Sequence, residues 1–180
     1  SNEANQLGTY SGKIEFTSES LSEHFPDDEE RPVSPRYIDS WEGHKSPLAD
    51  KYPLQLLSPH PRFTFHTHYD GHTPSLDDIP GHRLKIDGYA YWPARINPED
   101  AAARGISDGD LVRLFNDRGA CLAGAVVTGD LMPGAIRLYT GAWYDPVDGG
   151  KPGSLDRHGN PNMLTLDKGT SKLGQGPSAQ

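Results

Sequence analysis

Cysteine is almost missing from this sequence: Cys121 is the only one. That excludes an internal disulfide, a four-cysteine zinc site and a cysteine-ligated iron–sulfur cluster built by this chain alone. Long apolar runs are lacking too. No stretch of about 18 apolar residues occurs, and no basic segment followed by an apolar one opens the chain, so nothing reads as a membrane-spanning helix or an export signal. Basic residues are scattered instead of clustered. The 17 Lys and Arg stand among 25 Asp and Glu for a net charge of −8, the wrong balance for neutralising nucleic-acid phosphates. An anionic ligand would therefore need a local pocket of donors. Phosphate-loop and dinucleotide glycine fingerprints and internal repeats are absent as well. The chain does not start with Met, and Ser1-Asn2 reads as the scar of a cleaved tag on a piece of a longer protein.

What is present is loop-forming. The chain has 20 Gly and 16 Pro in 180 residues, with 34% hydrophobic positions, so it holds one domain with a real core but many turns and few long helices. A turn at Ser11-Gly12 precedes alternating Ile14 and Phe16, the period of an opening strand. Residues 24–49 are acidic and proline-bearing and read as a surface connection. Leu54, Leu56 and Leu57 form a short strand that stops at Ser58-Pro59-His60-Pro61, because proline lacks an amide donor and turns its predecessor away from helix. Six of the eight histidines lie between His44 and His82. Asn97 caps a short helix with Pro98 at its first position and Glu99 and Asp100 in its first turn, and Gly105 ends it. Strands are expected over 111–115, 122–127 and 135–139, with turns at 117–119 and 132–134. In the tail, residues 163–166 read as a strand and Thr170 as a helix cap.

Four segments in this order resemble the last domain of the dimethyl sulfoxide reductase family of molybdenum enzymes. They are SGKIEF (11–16), LLSPHPRFTFHTH (56–68), INPEDAAARGISDGDLVRLFNDRG (96–119) and NPNMLTLDKGTSKLGQG (160–176), and with their spacers they cover nearly the whole chain. The third is the most specific. The resemblance implies a mainly β fold, a double-psi β-barrel of the aspartate-decarboxylase-like type, with residues 1–50 as leading strand and acidic connection and 51–180 as the cofactor-binding domain. It implies a molybdenum (or tungsten) bis-molybdopterin guanine dinucleotide cofactor in the parent protein, whose activity is oxygen-atom or hydroxyl transfer. The metal ligand would come from an earlier domain, so this piece is expected to be inactive alone. The remaining domains of the polypeptide are the implied partner, with an iron–sulfur electron-transfer subunit as a further one. Two phrases, YPLQLLSPHPRFTFHTHYD and YAYWPARINPEDAAARGI, look closer to the pyrogallol transhydroxylase and catechol dehydroxylase branch, whereas the tail looks more like sulfoxide and amine-oxide reductases.

By the same resemblance the second segment runs across the pterins, with His66-Thr67-His68 where reductases of the family often have His-Ser-Gln. A pyranopterin with its phosphates presents carbonyl, amino and anionic groups, which call for rigid donors and acceptors. Ser58, His60, Arg62, His66, Thr67 and His68 carry such groups. Alternation along a strand would put His66 and His68 on one face and Thr67 on the other. Asn162 matches the family's asparagine that reaches the pterin from the end of the barrel, and Lys172 or Gln175 stands where another polar contact often lies. Asp108, Asp110 and Arg118 read as turn caps and surface pairs. Two other classes compete. One is a cupin-like metal enzyme using His66 and His68, whose HxH spacing places two imidazoles on one side of a strand but is followed by Asp70 instead of a glutamate. The other is a free-standing double-psi barrel serving as an interaction module.

Overall fold

The computed structural model describes residues 7–71 and 73–169, so Lys172, Gln175, Thr170 and His72 lie outside the described residues. Two compact units appear: one holds 7–39 with 168–169, the other 40–71 with 73–167.

In the first unit a single helix, α1 (Glu19–His24), is capped by Ser18, whose hydroxyl accepts from the Leu21 amide at 3.2 Å. Arg31 pairs with Asp28 and lies 4.5 Å over the Phe25 ring. The opening strand expected at Ile14 and Phe16 is not formed, and these side chains are 75% and 79% exposed. The period-2 pattern is there, but a strand also needs a neighbour to take its amides and carbonyls, and no ladder partner runs beside it among the described residues. The turn at Gly12, with φ of 68°, is present.

The second unit is built on β1 (Gln55–Leu57), α2 (Pro74–Asp77), β2 (Leu84–Ile86), β3 (Tyr89–Tyr91), β4 (Pro93–Ile96), α3 (Pro98–Ala102), β5 (Leu111–Phe115), β6 (Ala120–Val127) and β7 (Ala135–Leu138). Five strands form one sheet in the order β1-β7-β4-β6-β5. The β1–β7 and β4–β6 pairs are parallel, and β4–β7 and β5–β6 are antiparallel. Among the described residues the fold is mainly β, with a few short helices.

Hairpin β2–β3 turns on Asp87-Gly88, both at positive φ (49° and 82°), the geometry that an Asp-Gly pair favours in a two-residue loop. It sits against β6 because Gly124 carries no side chain: a Cβ there would meet the Leu84 side chain at 2.8 Å. The expected helix is α3. Asn97 accepts from the Glu99 amide (2.9 Å) while its own amide donates to the Leu131 carbonyl (2.7 Å), so one side chain both caps the helix and holds the loop before β7. Asp108 and Asp110 accept from the Val127 and Ser107 amides, and Arg118 clasps Glu42 with two hydrogen bonds and also donates to the Leu164 carbonyl. The strand expected over 163–166 is instead a single 3₁₀ turn, Pro161–Met163, capped by Asn160. Proline at its first position and the Asn160 cap favour a turn over the weak apolar alternation that follows.

The core joins Trp92, Ala94, Leu114, Cys121, Ala123, Leu138, Ala142 and Leu164. Burial pushes the Cys121 thiol up to about 12, which leaves it protonated and non-nucleophilic at neutral pH. Cys121 is therefore expected to resist iodoacetamide in the native state and to react only after unfolding. Stoichiometric labelling of folded protein, read by mass spectrometry, would contradict this packing.

Candidate functional site

The loop that leaves β1 carries six of the residues singled out in the sequence. Ser58 is half-buried, and its hydroxyl oxygen is enclosed without a hydrogen-bond partner among the described residues. It lines a largely apolar cavity of about 480 Å³ between the two edge strands of the sheet, with Leu56, Ile96, Val112 and Phe115 among its walls. Further along, His60, Arg62, Phe63, Thr64, Phe65 and Tyr69 border a second hollow. Thr64 is buried and its hydroxyl unpartnered among the described residues, whereas His60, Arg62, His66, Thr67 and His68 are exposed.

The alternation expected of a strand at 66–68 is replaced by a tight turn. Phe65 and His68 bridge across it, the His68 amide donates to the Phe65 carbonyl at 2.9 Å, and His66 and Tyr69 take positive φ of 50° and 64°. His66 and His68 therefore do not stand side by side on one strand face. The ring of His66 meets that of His60 edge-on at 4.6 Å, and His68 turns back to put Nδ1 2.9 Å from the Phe65 carbonyl. Thr67 contributes its carbonyl, which accepts from the Trp143 indole at 2.7 Å. The Arg62 guanidinium lies 5.4 Å from the Phe63 ring centre. Asn162 is exposed on its 3₁₀ turn, with its side-chain amide unpaired among the described residues. No hydrogen bond or ring contact joins it directly to the loop among those residues. Nor do three or more His, Cys, Asp or Glu side chains gather as a metal-ligand set among them.

Beneath the loop lies a buried polar network that the sequence reading did not single out. Asp70 is 2% exposed and its two carboxylate oxygens serve three donors: Arg83 on one, the Trp143 amide (2.6 Å) and His158 Nε2 (2.9 Å) on the other. Burial by itself raises the Asp70 pKa, but His158, the Trp143 amide and Arg83 outweigh it and hold the carboxyl below its ordinary value. Arg83 also spreads over the Trp92 ring at 3.3 Å. His158 Nδ1 meets the Tyr89 hydroxyl at 2.9 Å, and that hydroxyl donates to Asp145 at 3.2 Å. His82, packed edge-on to Phe63 and Trp92, has its pKa lowered by burial and then by the charge of Arg83. Nearby, the buried Asp156 carboxylate accepts from the backbone amides of Asp145 (2.7 Å), Gly159 (2.8 Å) and Asn160 (2.7 Å).

The arrangement presents exposed imidazoles, a guanidinium and an amide on turns that are stiffened from below.

A family model described as the molydopterin dinucleotide binding domain matches residues 54–180. The chain is 47% identical over 176 residues to the pyrogallol hydroxytransferase large subunit of Pelobacter acidigallici, covering 94% of this chain and 20% of that protein. It is 44% identical over 176 residues to the dimethyl sulfoxide/trimethylamine N-oxide reductase of Cereibacter sphaeroides, covering 98% and 20%. Among solved structures, acetylene hydratase from Pelobacter acetylenicus superposes with a TM-score of 0.66 at 21% identity, over 92% of this chain and 22% of that one. The chain thus spans about a fifth of the length of the curated relatives it matches.

Proposed function

The chain belongs to the molydopterin dinucleotide-binding domain family, found in catalytic subunits of dimethyl sulfoxide reductase-type molybdenum enzymes, and from that premise we propose that its 58–71 loop and Asn162 hold the pterins of the parent enzyme. The donor set fits. Among the described residues His60, Arg62, His66 and Asn162 offer exposed side chains without hydrogen-bond partners, as heterocycle edges and phosphates require, and the Ser58 and Thr64 hydroxyls are enclosed but unpaired. In this reading His60, His66 and Asn162 bind pterin edges, Arg62 faces an anionic group, His68 supports the turn, and Lys172 or Gln175 adds a further polar contact. The cofactor, a molybdenum (or tungsten) bis-molybdopterin guanine dinucleotide, supplies the redox and atom-transfer chemistry when bound. This chain orients it and keeps water from one side.

The curled sheet is, on this proposal, a double-psi β-barrel, supported by its alternation of parallel (β1–β7, β4–β6) and antiparallel (β4–β7, β5–β6) pairs. Residues 51–180 form the binding domain, and 1–50 lead into it from the rest of a larger catalytic subunit that catalyses oxygen-atom or hydroxyl transfer. The remaining domains of that polypeptide are its partners, with an iron–sulfur subunit as electron donor or acceptor.

One observation carries the proposal: a turn with two non-glycine residues at positive φ displays the His66 imidazole at the surface, without a hydrogen-bond partner among the described residues, a conformation that functional loops retain at a cost in strain. Hydrogen bonds to charged groups contribute about 1.5–3 kcal/mol each. His66→Ala or Asn162→Ala in the full-length protein is accordingly expected to release guanine dinucleotide about tenfold faster or more on dialysis, read as molybdenum and nucleotide content. Wild-type retention in both variants would remove these residues from the site.

A further inference from the structure

The loop that displays His60, His66 and His68 is strained, and what holds it there comes from distant parts of the sequence. Left-handed φ at His66 and Tyr69 is unfavourable for residues with a side chain, so the turn persists only where its surroundings over-determine it. They do so at both ends. At its start, Gly141 (φ 102°) lies so close to the His66 carbonyl that a Cβ could not be added. In its middle, the Trp143 indole donates to the Thr67 carbonyl at 2.7 Å. At its close, the Trp143 ring lies against Gly71 (φ 89°), where an added Cβ would come within 2.6 Å of the ring. Just before Gly71, Asp70 takes the Trp143 amide, Arg83 and His158 together. Four attachments thus span the six residues from His66 to Gly71.

We propose that Asp70 and Trp143 are positioning residues for the cofactor loop: they touch no ligand themselves but set the backbone from His66 to Asp70, and with it the direction of the imidazoles. The inference rests on the loop reading above and deepens it. Asp70 joins the loop to Arg83, just before β2, and to His158, four residues before Asn162, so the two segments assigned to the cofactor share one buried carboxylate. Trp143 separates positioning from mere stability. It is 48% exposed, and its indole N–H is spent on loop backbone, so little of the core depends on it.

The test uses the full-length, cofactor-loaded protein. Trp143→Phe keeps a ring against Gly71 and removes the indole donor. It is expected to release molybdenum and guanine dinucleotide about tenfold faster and to shift the visible absorption bands of the bound cofactor, with a melting temperature within about 2 °C of wild type. Asp70→Asn is expected to speed release at least as much, and if it fails to fold, Trp143→Phe carries the test alone. Asn97→Ala, which removes the cap of α3, is the stability control. Wild-type release and spectrum in Trp143→Phe would overturn the inference. So would equal acceleration in Asn97→Ala at a matched loss of melting temperature, because the effect would then be stability alone. The underlying loop reading fails separately: it falls if His66→Ala and Asn162→Ala leave release unchanged, whatever Trp143→Phe does.

Discussion

Trp92→Ala is expected to destabilise the domain by about 3–5 kcal/mol, the range for emptying a fully enclosed aromatic site. Trp92, between β3 and β4, is 0% exposed and belongs to the central apolar cluster. Three further contacts enlarge the loss: Arg83 lies over its ring at 3.3 Å, His82 meets it edge-on at 5.3 Å, and Tyr139 is tilted against it at 6.1 Å. Removing the ring strips a cation–π contact from an arginine that is already buried, where such contacts are worth most. Gly159 is apposed to the same side chain, since a Cβ there would meet Trp92 Cβ at 3.3 Å, so the void would also loosen the segment leading to Asn162. Trp92→Phe should recover part of the loss. Thermal unfolding of the full-length variants measures the effect, and a shift equivalent to less than about 1 kcal/mol would mean that this ring is not the centre of the packing.

Asp156→Ala is expected to cost a similar amount, about 3–5 kcal/mol, by a polar mechanism. Its enclosed carboxylate accepts from three backbone amides, those of Asp145, Gly159 and Asn160, and no cation is paired with it among the described residues. Alanine would leave three donors facing a cavity, and each unsatisfied buried group costs about 1–3 kcal/mol, with some recovered by entering water. Asparagine should rescue little, because its NH₂ would point a donor at a donor. The backbone of Asp156 also exchanges hydrogen bonds with β6, its carbonyl accepting from Leu122 (2.9 Å) and its amide donating to Ala120 (3.0 Å). One residue therefore fastens the 145 and 159–160 segments to the sheet. Amide hydrogen exchange should accelerate at Asp145, Gly159 and Asn160 in Asp156→Ala, and unchanged protection at all three would contradict this account.

Much of the framework is readable locally. Asn97-Pro98-Glu99-Asp100 becomes α3 because cap, first-turn proline and first-turn acids act within four residues. Residues 111–115 become β5, and the strands expected at 122–127 and 135–139 appear as β6 and β7 with shifted ends. The β2–β3 hairpin also had a local signal, Asp87-Gly88 between alternating apolar residues, that a search for turn dipeptides would have found. At 163–166 the apolar alternation was misleading, because Asn160-Pro161 just before it starts a 3₁₀ turn. At Ile14 and Phe16 the pattern was sound, but pairing needs a neighbour that no single segment contains.

The sequence alone therefore determined the capped helix, the principal strands, the domain family and the histidine-bearing loop, all of them encoded by residues within a few positions of one another or by long stretches of recognisable order. Only the tertiary structure decided how the loop is turned and what holds it. Asp70 meets Arg83, Trp143 and His158 across sequence separations of 13, 73 and 88 residues, and Trp143 reaches Thr67 across 76. A buried carboxylate is stable only where all its donors converge, and that convergence is a property of the folded chain, which no local pattern of residues announces.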